Sequence, residues 1–314
     1  MRSFVDRRQF VKTVGLGALA AAGMGIAEAR TAAAAQSDAG ADKSNVARLI
    51  PGCCAYSYDK DLRHGKMTLE DFILRAVELQ IPAVDMTVYY LKSTDPDYLH
   101  GLRHLAYKHC IAFSGASCGA SMVQASAAKR ADTLNEIKKW VDVTDELGAS
   151  HLRIFAGKLP NGANMKDAID WVVEAMKAAS DYSGKKGVTL GLEDHEGVTQ
   201  TSDVCLEIMH RLDTPYAGIN LDITNFIATP TQDAYAQIAA CIPYATGNIH
   251  IRDHFYDHTP VDMDRVWKML AQAGHQGYVS AEYEASFSDS LPASTGVPKL
   301  MDEIKTLCKK YSSV

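Results

Sequence analysis

From residue 49 onward, short apolar runs alternate with longer stretches in which apolar residues recur every three or four positions. The short runs are "GCCAYSY" (52–58), "AVDMTV" (83–88), "IAFSGAS" (111–117), "HLRIFAG" (151–157), "VTLGLED" (188–194), "GINLDI" (218–223), "NIHIRD" (248–253) and "YVSAEYE" (278–284). Their length and their turn-forming flanks predict strands. The stretches between them, such as "TLEDFILRAVELQ", "MKDAIDWVVEAMKAASDYSGKKG" and the terminal "VPKLMDEIKTLCKKY", carry the periodicity of a helix with one buried face. Several open on Thr, Asp or Ser and close near Gly, as capped helices do. Strand-then-helix units in strict alternation predict a parallel sheet, and about eight of them close one into a barrel. The fold class is therefore α/β, a single (β/α)8 TIM barrel over residues 49–314. A doubly wound open sheet uses the same alternation, but it usually carries a Gly-rich phosphate loop after an early strand. The segment "YSYDKDLRHG" has no such character.

The first 29 residues break the pattern. Arg7 and Arg8 precede Phe10 and Lys12, then an apolar Gly/Ala-rich run from Val14 to Ala27 ends in small residues. This order predicts a twin-arginine signal peptide, and the run is shorter than the ~20 residues a membrane span needs. The expectation is a periplasmic or secreted protein with no span in its mature form. Residues 30–48, rich in Ala, Ser, Asp and Gly without periodicity, read as a flexible lead-in. A hydrophobic content of 47% with 22% charged residues fits a soluble globular body. The net charge of -6 counts against a nucleic-acid partner, which calls for a basic face. The seven cysteines are scattered with no CxxC, so they imply no disulfide framework, although one or two bridges would fit.

Candidate chemistry lies at the carboxyl ends of the strands, where such a barrel places its active site. The last four strands end with Glu193, Asp222, His250 and Glu282. Strand parity puts His195 on the side of Glu193, Thr224 with Asp222, Arg252 with His250 and Glu284 with Glu282. Leu192, Ile223, Ile249, Ile251 and Tyr283 then face the helices. Any one of the four polar groups is explained as well by local pairing with a lysine or the backbone. Four on consecutive strands point to a shared divalent cation. Three carboxylates and an imidazole suit Mn²⁺ first, with Mg²⁺, Co²⁺ and Zn²⁺ as alternatives.

The segments "GLEDH", "NLDITN", "NIHIRDH" and "YVSAEYE" resemble the Glu, Asp, His and Glu strand ends of the xylose-isomerase-like TIM barrels. That group contains sugar phosphate isomerases and epimerases, ketose 3-epimerases, inosose-handling enzymes and endonuclease IV-type repair enzymes. The resemblance implies that Glu193, Asp222, His250 and Glu282 bind one metal and that Glu193 and Glu282 also move protons on opposite faces of a sugar. A Lewis acid on the carbonyl and an adjacent hydroxyl would stabilise the enediolate formed when the neighbouring C–H loses its proton. The same enediolate expels a leaving group where one is present, so a lyase acting on 3-keto-glycosides is the alternative to an isomerase or epimerase. Export disfavours phosphorylated substrates, which are cytoplasmic metabolites. A neutral sugar or sugar derivative is the expected small-molecule partner.

His195, Arg252, Tyr56 and Arg153 are candidate substrate-binding residues, with Tyr58 beside Tyr56. Asp253, His254, Asp257 and His258 form an acidic and imidazole-rich loop that invites a second metal but reads better as a loop. Trp140, Trp171 and Trp267 fall in helical patterns and are expected in the core. The repair enzymes need a histidine three residues beyond the Asp of the sixth strand, a position where ketose epimerases also often carry one. This chain has Asn225 there. A non-catalytic sugar-binding barrel is the third reading, set against by the presence of both glutamates. Oligomeric state is silent in the sequence. Family members often pair, so the resemblance brings a homodimer as an expectation, with "LPASTGVP" as a candidate contact loop.

Overall fold

The computed structural model describes residues 46–312, so the predicted signal peptide and most of the lead-in lie outside the described residues. The strands are β1 (Arg48–Cys54), β2 (Ala83–Thr87), β3 (Ala112–Ser121), β4 (His151–Phe155), β5 (Thr189–Glu193), β6 (Ala217–Asn220), β7 (Asn248–Ile251) and β8 (Gln276–Ala281). The connecting helices are α1 (Leu69–Glu78), α2 (Pro96–Lys108), α3 (Ala127–Leu147), α4 (Met165–Ser183), α5 (Ser202–Arg211), α6 (Ala234–Cys241), α7 (Met263–Gln272) and α8 (Ala293–Tyr311). All ladders are parallel, and the 8-stranded order runs β6-β5-β4-β3-β2-β1-β8-β7. Isolated parallel bridges Ile219–Ala245 and Asp222–His250 join the two ends. Backbone bonds Thr246 N to Ile219 O (2.8 Å) and His250 N to Leu221 O (2.9 Å) seal the seam. The result is the expected (β/α)8 barrel.

Alternation along each strand decides which side chains fill the barrel and which meet the helices. Leu192, Ile223, Ile249, Ile251 and Tyr283 all join the apolar layer under the helices, as parity predicts. Helix α1 shows how local sequence fixes an end: Thr68 accepts from Asp71 N at 3.1 Å while Asp71 accepts from Thr68 N at 2.9 Å, a reciprocal capping box. Trp267 is fully buried, and Trp140 and Trp171 pack against the core from its edge.

Three local expectations are corrected. The first strand ends at Cys54, and 55–58 form a 3-10 turn instead of continuing it. That turn sends Tyr58 into the core against Phe72, edge to face at 6.0 Å, so Tyr58 is packing and not part of a sugar pocket. Helix α8 begins at Ala293, so most of "LPASTGVP" is helix and not loop, with Pro298 inside it and forgoing one intrahelical bond. All seven cysteines are free thiols, which removes the bridges the sequence allowed.

The inner layer is unusual for such a barrel, whose filling is generally branched and apolar. Asp85, Ser117, His151, Asn220, Asn248 and Ser280 are all buried there. Glycines make room for them. A Cβ on Gly191 would overlap the His151 imidazole and lie 2.8 Å from Asn220 Cβ. Gly191→Ala is therefore expected to destabilise the protein by about 1–3 kcal/mol through overpacking, read as a lower urea midpoint. An unchanged midpoint would mean that this layer is loosely packed.

Candidate metal centre

Glu193 is the last residue of β5, and His250 lies within β7. Asp222 sits two residues beyond β6, and Glu282 follows β8 directly. One donor atom from each of the four lies within 4.8 Å of the others. All four are buried, at 2%, 0%, 0% and 6% exposure for Glu193, Asp222, His250 and Glu282. Asp222 can continue the wall past its strand because its N–H donates to Asp194 Oδ1 at 2.7 Å. Its own Oδ1 accepts from Thr224 N at 2.8 Å and Thr224 Oγ1 at 2.6 Å.

Several polar atoms here are left without ordinary partners. Neither His250 nitrogen and not Glu193 Oε2 makes a hydrogen bond, although all are buried. Buried polar atoms are normally paired, so one His250 nitrogen and Glu193 Oε2 are atoms that a cation would satisfy. His250 Nδ1 stands 3.5 Å from Glu282 Oε1, and Nε2 stands 3.5 Å from Asp85 Oδ2. Arg153 Nε faces Glu193 Oε2 at 3.1 Å as an ion pair. The donor set fits a divalent cation that takes hard oxygens and one nitrogen. Cys54, whose Sγ lies 3.6 Å from Glu282 Oε1, forms a second set with His250 and Glu282. Among the described residues these are the two clustered donor groups. Asp253, His254, Asp257 and His258 belong to neither; His254 Nδ1 lies 3.0 Å from Asp253 Oδ1 and Asp257 accepts from Thr259.

The two glutamates differ electrostatically. Burial lifts Glu193 to about 7, with Arg153 opposing the rise and Glu282 adding to it. Burial also acts to raise Glu282, but His250 and Arg252 outweigh it and hold that carboxyl well below the usual range. Burial acts to lower His250, but Glu282 and Asp85 push it well above its ordinary value. Glu284, further out, is lifted to about 7 by burial.

Arg252 organises the far wall. It donates to Asp222 Oδ2 at 2.8 Å, to Thr224 Oγ1 at 2.7 Å, to Glu284 Oε1 at 2.5 Å and to Asn225 Oδ1. Asn225 in turn donates through Nδ2 to Glu193 Oε1 at 3.4 Å. The residue that replaces the expected histidine thus links Glu193 to Arg252. Aromatic rings line the mouth: His195 rests on Phe155 with centroids 4.5 Å apart, and Tyr256 meets Phe287 edge to face at 4.7 Å. The Arg252 guanidinium lies 5.0 Å from the Tyr256 ring centre. Half-buried Tyr56 lies in the field of Glu284 and Glu282. From Tyr56 and Glu284 a groove of about 610 Å³ runs outward between the loop after β1 and the loop after β8, past Asp59, His64 and Ser290.

The sequence-predicted Glu193, Asp222, His250 and Glu282 thus cluster, with Arg153 paired to Glu193 and Arg252 to Asp222, and His195 and Tyr56 lie in the field of Glu282. Asp85, Cys54, Tyr256 and Phe287 were not anticipated. An acidic residue at the centre of the apolar run "AVDMTV" was a readable signal for Asp85. Tyr256 and Phe287 lie in loops, where no periodicity marks a side chain's direction.

A family model described as xylose isomerase-like TIM barrel matches residues 73–307. No curated protein sequence matches the chain. Among solved structures, protein SMc04130 from Sinorhizobium meliloti 1021 is similar with a TM-score of 0.68 at 18% identity, covering 84% of this chain and 98% of that one. A D-allulose 3-epimerase from Methylomonas sp. gives 0.65 at 19% identity with the same coverage of 84% and 98%. D-psicose 3-epimerase with D-tagatose from Clostridium cellulolyticum H10 gives 0.67 at 12% identity, again covering 84% and 98%.

Proposed function

The chain belongs to the xylose isomerase-like TIM barrel family, and on that premise we propose that it is a divalent-metal-dependent sugar isomerase or epimerase acting at the carbon beside a keto sugar's carbonyl. The observation that carries this reading is the pair Glu193 and Glu282, converging with Asp222 and His250 within 4.8 Å while differing in proton affinity. The D-allulose and D-psicose 3-epimerases of similar fold lend it support. A bound cation supplies a Lewis acid that spreads the charge developing on the substrate's oxygens. Glu282, which Arg252 helps hold ionised, takes the proton from carbon. Glu193 returns a proton on the opposite face. Asn225 and Arg153 orient the Glu193 carboxyl between them.

The substrate reading follows from charge. Arg252 is engaged by Asp222, Thr224, Asn225 and Glu284, and Arg153 faces Glu193. Neither guanidinium is a spare charge for a phosphate group, so a neutral sugar fits the mouth best. The aromatic walls suit a sugar ring's apolar face. A lyase reading on 3-keto-glycosides is favoured by one further observation, the groove from Tyr56 and Glu284, which is large enough for a group attached to the reacting ring. The donor set supports Mn²⁺ first. Residues 1–29, with Arg7 and Arg8, support twin-arginine export, and a homodimer completes the proposal by family resemblance.

Incubation of metal-loaded protein with keto sugars and 3-keto-glycosides in deuterated water tests these readings. Deuterium entering the carbon beside the carbonyl, with no fragment released, is the expected result for an isomerase or epimerase. Release of the attached group identifies the lyase. Absence of label and of product with every substrate overturns the enzyme reading in favour of a sugar-binding barrel.

A further inference from the structure

Asp85 lies one layer beneath the four donors, near the centre of β2 and fully buried. Its position is fixed from several sides. Oδ2 accepts from Asn248 Nδ2 at 2.6 Å, and Oδ1 accepts from Ser117 Oγ at 2.9 Å. Asn248 is itself held, since Ser280 Oγ donates to its Oδ1 at 2.8 Å. Gly115 leaves the space: a Cβ there would stand 3.0 Å from Asp85 Oδ2. Cys54 Sγ approaches from β1 at 4.0 Å. Three strands therefore supply hydrogen-bonded partners or neighbours to a carboxylate that is not itself in either donor group.

His250 stands between this carboxylate and the cavity. Nε2 faces Asp85 Oδ2 and Nδ1 faces Glu282 Oε1, each at 3.5 Å. A neutral imidazole carries one proton; Glu282 belongs to the donor group and Asp85 does not, so the proton belongs on the nitrogen facing Asp85, and the nitrogen beside Glu282 keeps its lone pair for the shared metal. We infer that Asp85 is a positioning residue that holds the His250 proton on Nε2 and so presents Nδ1 to the cation. The buried chain Ser280–Asn248–Asp85 keeps that carboxylate from swinging up to become a ligand itself. The polar inner layer then has a purpose beyond filling: it transmits a fixed orientation from β8, β7 and β3 to the imidazole. This inference rests on the metal-centre reading above.

Zinc, being diamagnetic, is the probe. The full chain labelled with 15N-histidine and loaded with zinc is expected to show His250 protonated at Nε2 and metal-bound at Nδ1, with the resonance assigned by its loss in His250→Gln. In Asp85→Asn, which cannot keep both acceptor oxygens, zinc affinity measured by competition with a chelator is expected to fall about 10- to 100-fold. A wild-type His250 bound through Nε2, or an Asp85→Asn affinity within about threefold of wild type, overturns the inference. If Asp85→Asn does not fold, the wild-type spectrum decides. Failure of the wild-type chain to bind zinc, manganese or cobalt at all instead overturns the metal-centre reading.

Discussion

Glutamine in place of Glu193 or Glu282 lowers kcat by about two to four orders of magnitude at saturating metal, the range a positioned proton-transfer group contributes. Glutamine keeps the side chain's shape and one oxygen, so the barrel is expected to fold and the cavity to keep its outline. It cannot take up or release a proton near neutrality. The two variants should separate in solvent-exchange experiments. If Glu282 removes the proton and Glu193 returns it, Glu282→Gln suppresses deuterium exchange of the substrate altogether. Glu193→Gln would still allow the first C–H to break while blocking formation of the inverted product. Turnover of either variant within about tenfold of wild type at saturating metal would exclude the two-carboxylate mechanism.

On the proposed reading, removal of the cation by chelation is expected to abolish turnover and to change the pH dependence of stability. Occupancy at a hundredfold over Kd stabilises a folded protein by about 2.7 kcal/mol, so a chelated sample should melt at a lower temperature. The sign of the pH effect follows from the groups involved. Glu193 and Glu284 have folded values lifted to about 7 by burial, against about 4.3 in an unfolded chain. Between those values the unfolded state has already lost protons that the folded state retains, so folding stability falls as pH rises through this window. His250 acts in the same direction. Its folded value lies well above the ordinary one, so its contribution is present at low pH and is lost as pH rises past the folded value. Glu282 and Asp85 have depressed values and act oppositely, but their window lies below the ordinary carboxylate range. His151 and His275, lowered to about 4 by burial, also act oppositely, and their contribution is complete once pH passes the ordinary imidazole value of about 6.5. The cation-free protein is therefore expected to melt higher near pH 6.5 than near pH 8. Metal affinity should run the other way, because Glu193 and His250 must release protons to the solvent before they can coordinate. Calorimetric titration across this range, in buffers of different ionisation enthalpy, reads the proton release directly. Affinity that is flat or falls with rising pH would contradict the assignment of these two residues as ligands.

The groove beside Tyr56 gives the choice between epimerase and lyase a structural handle. It shares Glu284 with the Arg252 network, so a group seated there would touch residues already coupled to Asp222. The reacting ring and its substituent would then be sensed by one hydrogen-bonded wall.

The sequence by itself determined the barrel and four of its charged strand ends, because both follow from periodicity. A residue's face on a strand repeats every two positions and on a helix every 3.6 or so, and these rules need only neighbours along the chain. Glu193, Asp222, His250 and Glu282 were legible for that reason, and so was the helix-facing side of Leu192 and Ile249. The tertiary structure alone decided what each polar group meets. The turn at 55–58 sends Tyr58 into the core and leaves Tyr56 at the mouth, although the two are only two residues apart and would share a face on a strand. Asn225 reaches Glu193 and Arg252 across the wall, from 32 and 27 residues away, and Asp85 meets Asn248 from 163 residues away. Distances of that kind are set by closure of the barrel, which brings β2 and β7 to a common axis. Proton affinity, hydrogen bonding and metal fit depend on those through-space neighbours and on burial, and neither is written in local periodicity.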